Sequence, residues 1–166
     1  MTGIADFVSK FQHGARSNLF RLDIPAKLSA DTKFFVKAAQ IPGKTINKIE
    51  MKYLNNIIPI AGETATFQDW SITVVNDIDY GIRKQLEAWM DSIKSNLETN
   101  GATNQNQYYA DATVTQILQN GQDSNISYTM KYCFPTDLGT IDLSFDNQDQ
   151  VQEFQVTFAL GGWIAN

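Results

Sequence analysis

One cysteine and one histidine occur in 166 residues, and each shortage removes a class of chemistry. The lone Cys133 excludes an internal disulfide and any cysteine metal cluster. It lies in a strand-like run and reads as a small buried apolar residue. His13 has no second imidazole or cysteine beside it, so a surface histidine is expected. Long apolar runs are missing too. Nothing approaches the ~18 residues that span a bilayer, and Met1-Thr2-Gly3-Ile4-Ala5-Asp6-Phe7 lacks the basic and apolar regions of a signal peptide. A protein made and kept in a cytoplasm, unless another machine exports it, is expected, with no membrane partner. There is no glycine-rich phosphate loop, nucleophile elbow or metal-binding His pair. The acidic residues Asp142, Asp146, Asp149 and Glu153 do not have the spacing of an EF-hand loop, and Asp146-Asn147-Gln148-Asp149 reads as a turn. No catalytic residue, cofactor or metal is assigned, and an enzyme is not expected.

The net charge of -5 argues against a general nucleic-acid binder, yet it averages two unlike parts. Residues 1–60 hold nine Lys and Arg against four acids, whereas residues 61–166 hold four basic and fourteen acidic side chains. Such a division is either solvated surface or a pair of complementary poles suited to stacking on copies of the chain.

What is present centres on residues 67–97. Trp70, Ile72 and Val74 fall on one face and Asp69, Ser71 and Thr73 on the other, the period of a strand buried on one side. Asn76-Asp77-Ile78-Asp79 then offers acceptors to a helix start. Ile82, Leu86, Trp89, Met90, Ile93 and Leu97 follow at spacings of three and four, with Asn100-Gly101 as a stop. The spacing predicts a helix over about 79–98, lying on a sheet by its Trp89 and Leu86 face.

Further strands are predicted over 18–24, 33–38, 112–119, 126–133, 141–145 and 154–160. Phe134-Pro135-Thr136-Asp137-Leu138-Gly139 is expected to turn the chain, and residues 4–11 to make a turn or two of surface helix. Between Pro42-Gly43 and Ala61-Gly62, Lys48-Ile49-Glu50-Met51-Lys52-Tyr53 alternates, Asn55-Asn56 forms a turn, and Ile57-Ile58-Pro59-Ile60 returns. This is a hairpin arm. Two strands alone are marginal in water, so Ile49, Met51, Tyr53, Ile57 and Ile60 must be covered, either by their own domain or by a neighbouring subunit. The fold class is mainly β: one domain over 1–166, an antiparallel sandwich or barrel of about eight strands with one substantial helix and a projecting arm over about 44–62.

Several segments together resemble the tail tube proteins of contractile-tailed bacteriophages. They are Asn18-Leu19-Phe20, Ala39-Gln40-Ile41-Pro42-Gly43, Ile60-Ala61-Gly62-Glu63, the run from Phe67 to Asp77, Phe134-Pro135-Thr136-Asp137-Leu138-Gly139, and Phe154-Gln155-Val156-Thr157-Phe158-Ala159-Leu160 followed by Trp163. The resemblance runs over nearly the whole chain. It implies a virion subunit, assembled in the host cytoplasm, that forms hexameric rings whose strands join into one barrel around a channel. The rings stack head to tail, and viral DNA passes through without being specifically bound. Implied partners are further copies of the chain, the tail sheath protein, baseplate tube-initiator proteins, a tail terminator and a tape measure protein in the lumen. The resemblance gives the arm the contact to the adjoining ring, carried here by Ile46, Ile49, Met51, Tyr53, Leu54, Asn55, Asn56, Ile57 and Ile58. A channel for DNA should not grip it, so an acidic or neutral lumen is expected, drawn partly from Asp142, Glu153 and Gln155. The alternatives are a baseplate tube initiator, a type VI secretion or bacteriocin tube subunit and, from another class, a monomeric small-molecule-binding β-barrel.

Overall fold

The computed structural model describes residues 3–11, 16–95, 101–146 and 150–166, and of Phe34 only the backbone. In chain order the elements are α1 (Ile4–Phe11), β1 (Phe20–Asp23), α2 (Thr32–Phe35), β2 (Val36–Ala39), β3 (Lys44–Tyr53), β4 (Asn56–Phe67), β5 (Trp70–Val75), α3 (Gly81–Ile93), a short 3-10 turn (Gln105–Gln107), β6 (Ala110–Ile117), β7 (Asp123–Leu138), β8 (Glu153–Ala159) and β9 (Gly162–Ala165).

Seven strands form one antiparallel system in the order β1-β6-β7-β8-β5-β2, with β9 added on β7. Its hinge is β7. The first part of this strand pairs with β6 and β9, and residues 134–138 pair with β8. At the changeover two residues, Lys131 and Tyr132, oppose the single residue Asp111, and Tyr132 takes a φ of 58°. Such a bulge bends the strand. The Asp111 carboxylate fixes it by accepting from the Lys131 ammonium and from the Tyr132 N–H. The two layers therefore fold over one core, while β1 and β2 end the system unpaired with each other. The result is a sandwich and not a closed barrel.

Alternation predicts the core well. Trp70, Ile72 and Val74 of β5 face Phe154, Val156 and Phe158 of β8 across the ladder, and all six are buried. From the other layer come Leu22, Ala112, Val114 and Met130. Helix α3 closes the core with Ile82, Leu86 and Trp89, the stripe expected of it. Trp89 and Trp70 both lie against the Phe158 ring, at centroid distances of 5.9 and 5.2 Å. Their indole N–H groups donate to the Tyr108 and Gln40 carbonyls at 2.8 and 2.6 Å, so neither polar edge is buried unpaired.

Five expectations need correction. Helix α3 begins at Gly81, whose N–H donates to the Asp77 carboxylate at 2.8 Å, and it ends at Ile93 because Lys94 is extended and bridges to Gly101; Leu97 and Asn100 lie outside the described residues. The strand predicted over 33–38 is a turn of helix, α2, followed by the four-residue β2. Phe134-Pro135-Thr136-Asp137-Leu138 does not turn the chain but continues β7, with Pro135 at a register shift where a missing N–H is tolerated. The predicted strand over 141–145 is not paired with any strand among the described residues. A ninth strand, β9, was not foreseen.

Candidate functional site: the projecting arm and the polar sheet face

Among the described residues, strands β3 and β4 pair only with each other, forming a separate two-stranded sheet. The turn is Leu54-Asn55, one residue earlier than expected, and Tyr53 pairs with Asn56. At about 3.3 Å per residue the ten residues of β3 reach about 33 Å. The ribbon is rooted at its foot, where the Phe67 ring meets Trp163 edge-on at 6.4 Å and lies beneath the Lys44 ammonium. Beyond the foot a bulge sets residues 62–64 opposite Asn47. Gly62 is needed there, because a Cβ would stand 2.6 Å from the Asn47 carbonyl oxygen.

Partners directly opposed in an antiparallel ladder share a face. Ile49 with Ile60 and Met51 with Ile58 therefore make one face, continued by Tyr53, and all five side chains are exposed. Lys48, Glu50 and Lys52 share the opposite face with Ala61, Pro59 and Ile57. This corrects the expected set: Ile57 lies opposite Lys52, away from Met51, and Ile58 belongs with the apolar group. The expectation for the arm thus resolves into an apolar face and a mixed one. On the mixed face the Lys48 ammonium is 2.7 Å from the Glu50 carboxylate. Ile46 lies below the bulge, paired with Ala65 and exposed. At the tip, Leu54 is 87% exposed and holds a φ of 53°. A leucine reaches that region at a cost of about 1–2 kcal/mol, so the tip displays a large apolar side chain on a strained backbone.

The expected lumen residues fall in two places. Glu153 and Gln155 lie on the outward face of β8, across from Val75 and Thr73 of β5, and Ser71 and Thr157 continue that polar face within 3.3 Å of each other. Glu153 is not a free carboxylate, because the Lys37 ammonium sits 2.6 Å away. Asp142 is not on the sheet. It belongs to residues 140–145, which together with residues 150–153 bound an open cavity of about 670 Å³. Asp149 and His13 lie outside the described residues.

Part of the charge division is resolved within the subunit. Arg21, from the basic part, holds Asp123 through two hydrogen bonds of 2.9 and 2.8 Å as well as Asp23 at 3.0 Å. Donating to the Asp123 carboxylate, and secondarily to Asp23, raises the guanidinium above its ordinary pKa. Cys133 is buried, and burial pushes its thiol up to about 12. A thiol so placed is a packing group and not a nucleophile. Among the described residues no three His, Cys, Asp or Glu side chains are grouped to hold a metal, and no helix is long and apolar enough to cross a membrane.

Comparison with known proteins agrees with this architecture. The family model for phage tail tube protein matches residues 6–166. The tail tube proteins gp19 of Enterobacteria phages T4 and T6 are each 30% identical over 164 residues, covering 96% of this chain and 98% of theirs. In fold, the chain is similar to one from the PVC sheath-tube complex of an extracellular contractile injection system in the extended state. That likeness has a TM-score of 0.70 at 13% identity and covers 100% of this chain and 99% of the other.

Proposed function

We propose, on the premise that this chain belongs to the phage tail tube protein family, that it is the repeating subunit of the tube of a contractile tail. Hexameric rings of it would stack head to tail around a channel through which viral DNA enters the host, after assembly in the host cytoplasm. The observation that carries this reading is the arm, a ribbon about 33 Å long with a continuous apolar face that its own body leaves uncovered. Such a face is an association surface. Because the arm and whatever receives it are different surfaces, the contact is heterologous, and repeated contacts of that kind build a filament unless they close. The contact set proposed is Ile49, Met51, Tyr53, Ile58 and Ile60, with Ile46, Leu54, Asn55, Asn56 and Ile57 flanking it.

The polar face of β5 and β8 suits a channel wall. Its hydroxyls, its amide and the Glu153–Lys37 pair carry almost no net charge. Phosphates passing such a wall release few counterions and so are not retained. Sheath, baseplate initiator, terminator and tape measure proteins would be the remaining partners, with DNA present only in transit. No residue is proposed to catalyse a reaction or hold a cofactor.

The test is negative-stain electron microscopy across a concentration series, paired with sedimentation velocity and repeated with baseplate extract as initiator. Rings or hollow tubes are expected. A monomer that persists at high concentration and with initiator refutes the reading, and a ring with a strongly basic channel refutes the assignment of the wall.

A further inference from the structure

Residues 140–145 have the sequence of a strand and the structure of none. Ile141, Leu143 and Phe145 alternate with Asp142 and Ser144, yet among the described residues no backbone hydrogen bond engages residues 140–145. Leu143 and Phe145 stand in solvent, 75% and 104% exposed, while Ile141 is half-buried against the core of its own subunit. Residues 140–144, with period two and no backbone partner among the described residues ahead of the turn at Phe145 and Asp146, are a strand lacking its neighbour.

We propose that residues 140–145 of one copy add as a strand to the outer edge of β3 in the arm of a second copy. The inference rests on the tube reading above and names a surface that receives the arm. Length selects β3. The other free edges, on β1, β2 and β9, are only four residues long, whereas β3 has ten. Chemistry selects β3 over β4. The two-residue turn makes Tyr53 and Asn56 a hydrogen-bonded pair, so alternation makes Glu50 and Pro59 a non-bonded pair whose main-chain groups point outward. On β4 that outward position is Pro59, which has no N–H to give. On β3 the outward groups belong to Lys48, Glu50 and Lys52, and all are available.

Charge and pattern agree with this choice. Residues 140–153 contain Asp142, Asp146, Asp149 and Glu153 and no basic residue. Lys48 is matched by Glu50, but Lys52 has no ion-pair partner among the described residues, and neither has Asp142. With Asp142 and Ser144 on the mixed face beside Lys48, Glu50 and Lys52, the same alternation puts Leu143 and Phe145 on the face of Ile49, Met51 and Tyr53. The added strand would widen the apolar face and cap the surplus lysine in one register.

Two experiments decide it. In the first, one population of the protein carries a cysteine in place of Lys48, Glu50 or Lys52 and the other in place of Asp142 or Ser144; the two are mixed, assembled and mildly oxidised. The native Cys133 is buried and serves as background. A covalent dimer is expected from the mixture in tubes, from neither population alone, and not from unassembled protein. In the second, Lys52→Glu is expected to raise the concentration needed for assembly about fivefold, and Asp142→Lys in the same chain to bring it back to within about twofold. Wild-type tubes that give no cross-link from any of the six combinations, together with no rescue by the charge exchange, overturn this inference and leave the tube reading standing. A wild-type protein that makes no tubes overturns both.

Discussion

The apolar face of the arm makes a quantitative prediction through the double variant Met51→Asp/Ile58→Asp. These side chains sit directly opposite each other and are 50% and 44% exposed in the free subunit. Fully burying a side chain of this kind is worth about 1.5–3 kcal/mol, so the half still exposed leaves about 1 kcal/mol each to be gained on association. Replacing both loses that gain and forces two carboxylates either to enter the contact unpaired or to hold it open. Burying an uncompensated charge costs about 3–5 kcal/mol. A weakening of about 5 kcal/mol per arm corresponds to between three and four orders of magnitude in the assembly constant, at about 1.4 kcal/mol per tenfold. The folded subunit should barely notice, because exposed sites away from the core change stability by about 0.5 kcal/mol or less. Thermal unfolding should therefore match wild type while sedimentation velocity shows monomer at concentrations where wild type is tubular. Ile57→Asp supplies the control, since its carboxylate would face Lys52 and the effect should be only a few-fold. Wild-type assembly by the double variant, or a large fall in melting temperature, would refute the reasoning.

Three other outcomes follow from the geometry. Gly62→Ala places a methyl 2.6 Å from the Asn47 carbonyl oxygen, so the bulge must rearrange; assembly should fall sharply while core unfolding, followed by tryptophan fluorescence, stays near wild type. The Cys133 thiol is raised from 9.0 to about 12 by burial, so the unfolded chain releases its proton first as pH rises. The corresponding stability is complete below about pH 9 and declines between about pH 9 and 12 with a slope of at most about 1.4 kcal/mol per pH unit, and Cys133→Ala should flatten that part of a urea-denaturation pH profile. Trp89→Ala empties the space between α3 and Phe158 and leaves the Tyr108 carbonyl without its indole donor; a loss of about 3–5 kcal/mol is expected in chemical denaturation.

The parts of the fold legible in the sequence are those where one strong period decides the structure. Trp70, Ile72 and Val74 had to face inward together, as did Phe154, Val156 and Phe158, and the Ile82, Leu86, Trp89 stripe could only be a helix face. The arm was legible for the same reason, but its lack of cover was not: period alone left open whether its own domain or a neighbouring subunit covers the apolar side. What escaped was decided by contacts remote in sequence. Phe34-Phe35-Val36 has β character, but the chain enters it from a helical turn at the buried Thr32. Pro135 looked like a turn because only the register shift against Phe158 shows that its missing N–H is harmless. Strand β9 is four residues long, starts on the second of two glycines and is defined by its partner β7. Residues 141–145 have a correct strand pattern without a partner among the described residues, so period alone could not place them. The face taken by Ile57 depends on parity from a turn, which spacing did not supply.

Strand β7 belongs to both layers of the sandwich, with the Asp111-clasped bulge at the crossing. A pull on the layer built from β1, β6 and β9 therefore reaches the layer built from β8, β5 and β2 along covalent backbone, with no need to cross a side-chain contact. Two sheets held only by packing would slide under shear, at a resistance set by dispersion. Here sliding would have to straighten the kink at Tyr132, withdraw a carboxylate from two donors and strip ladder bonds on both sides. The subunit should respond to force as one stiff plate with a single yield point at residues 131–132.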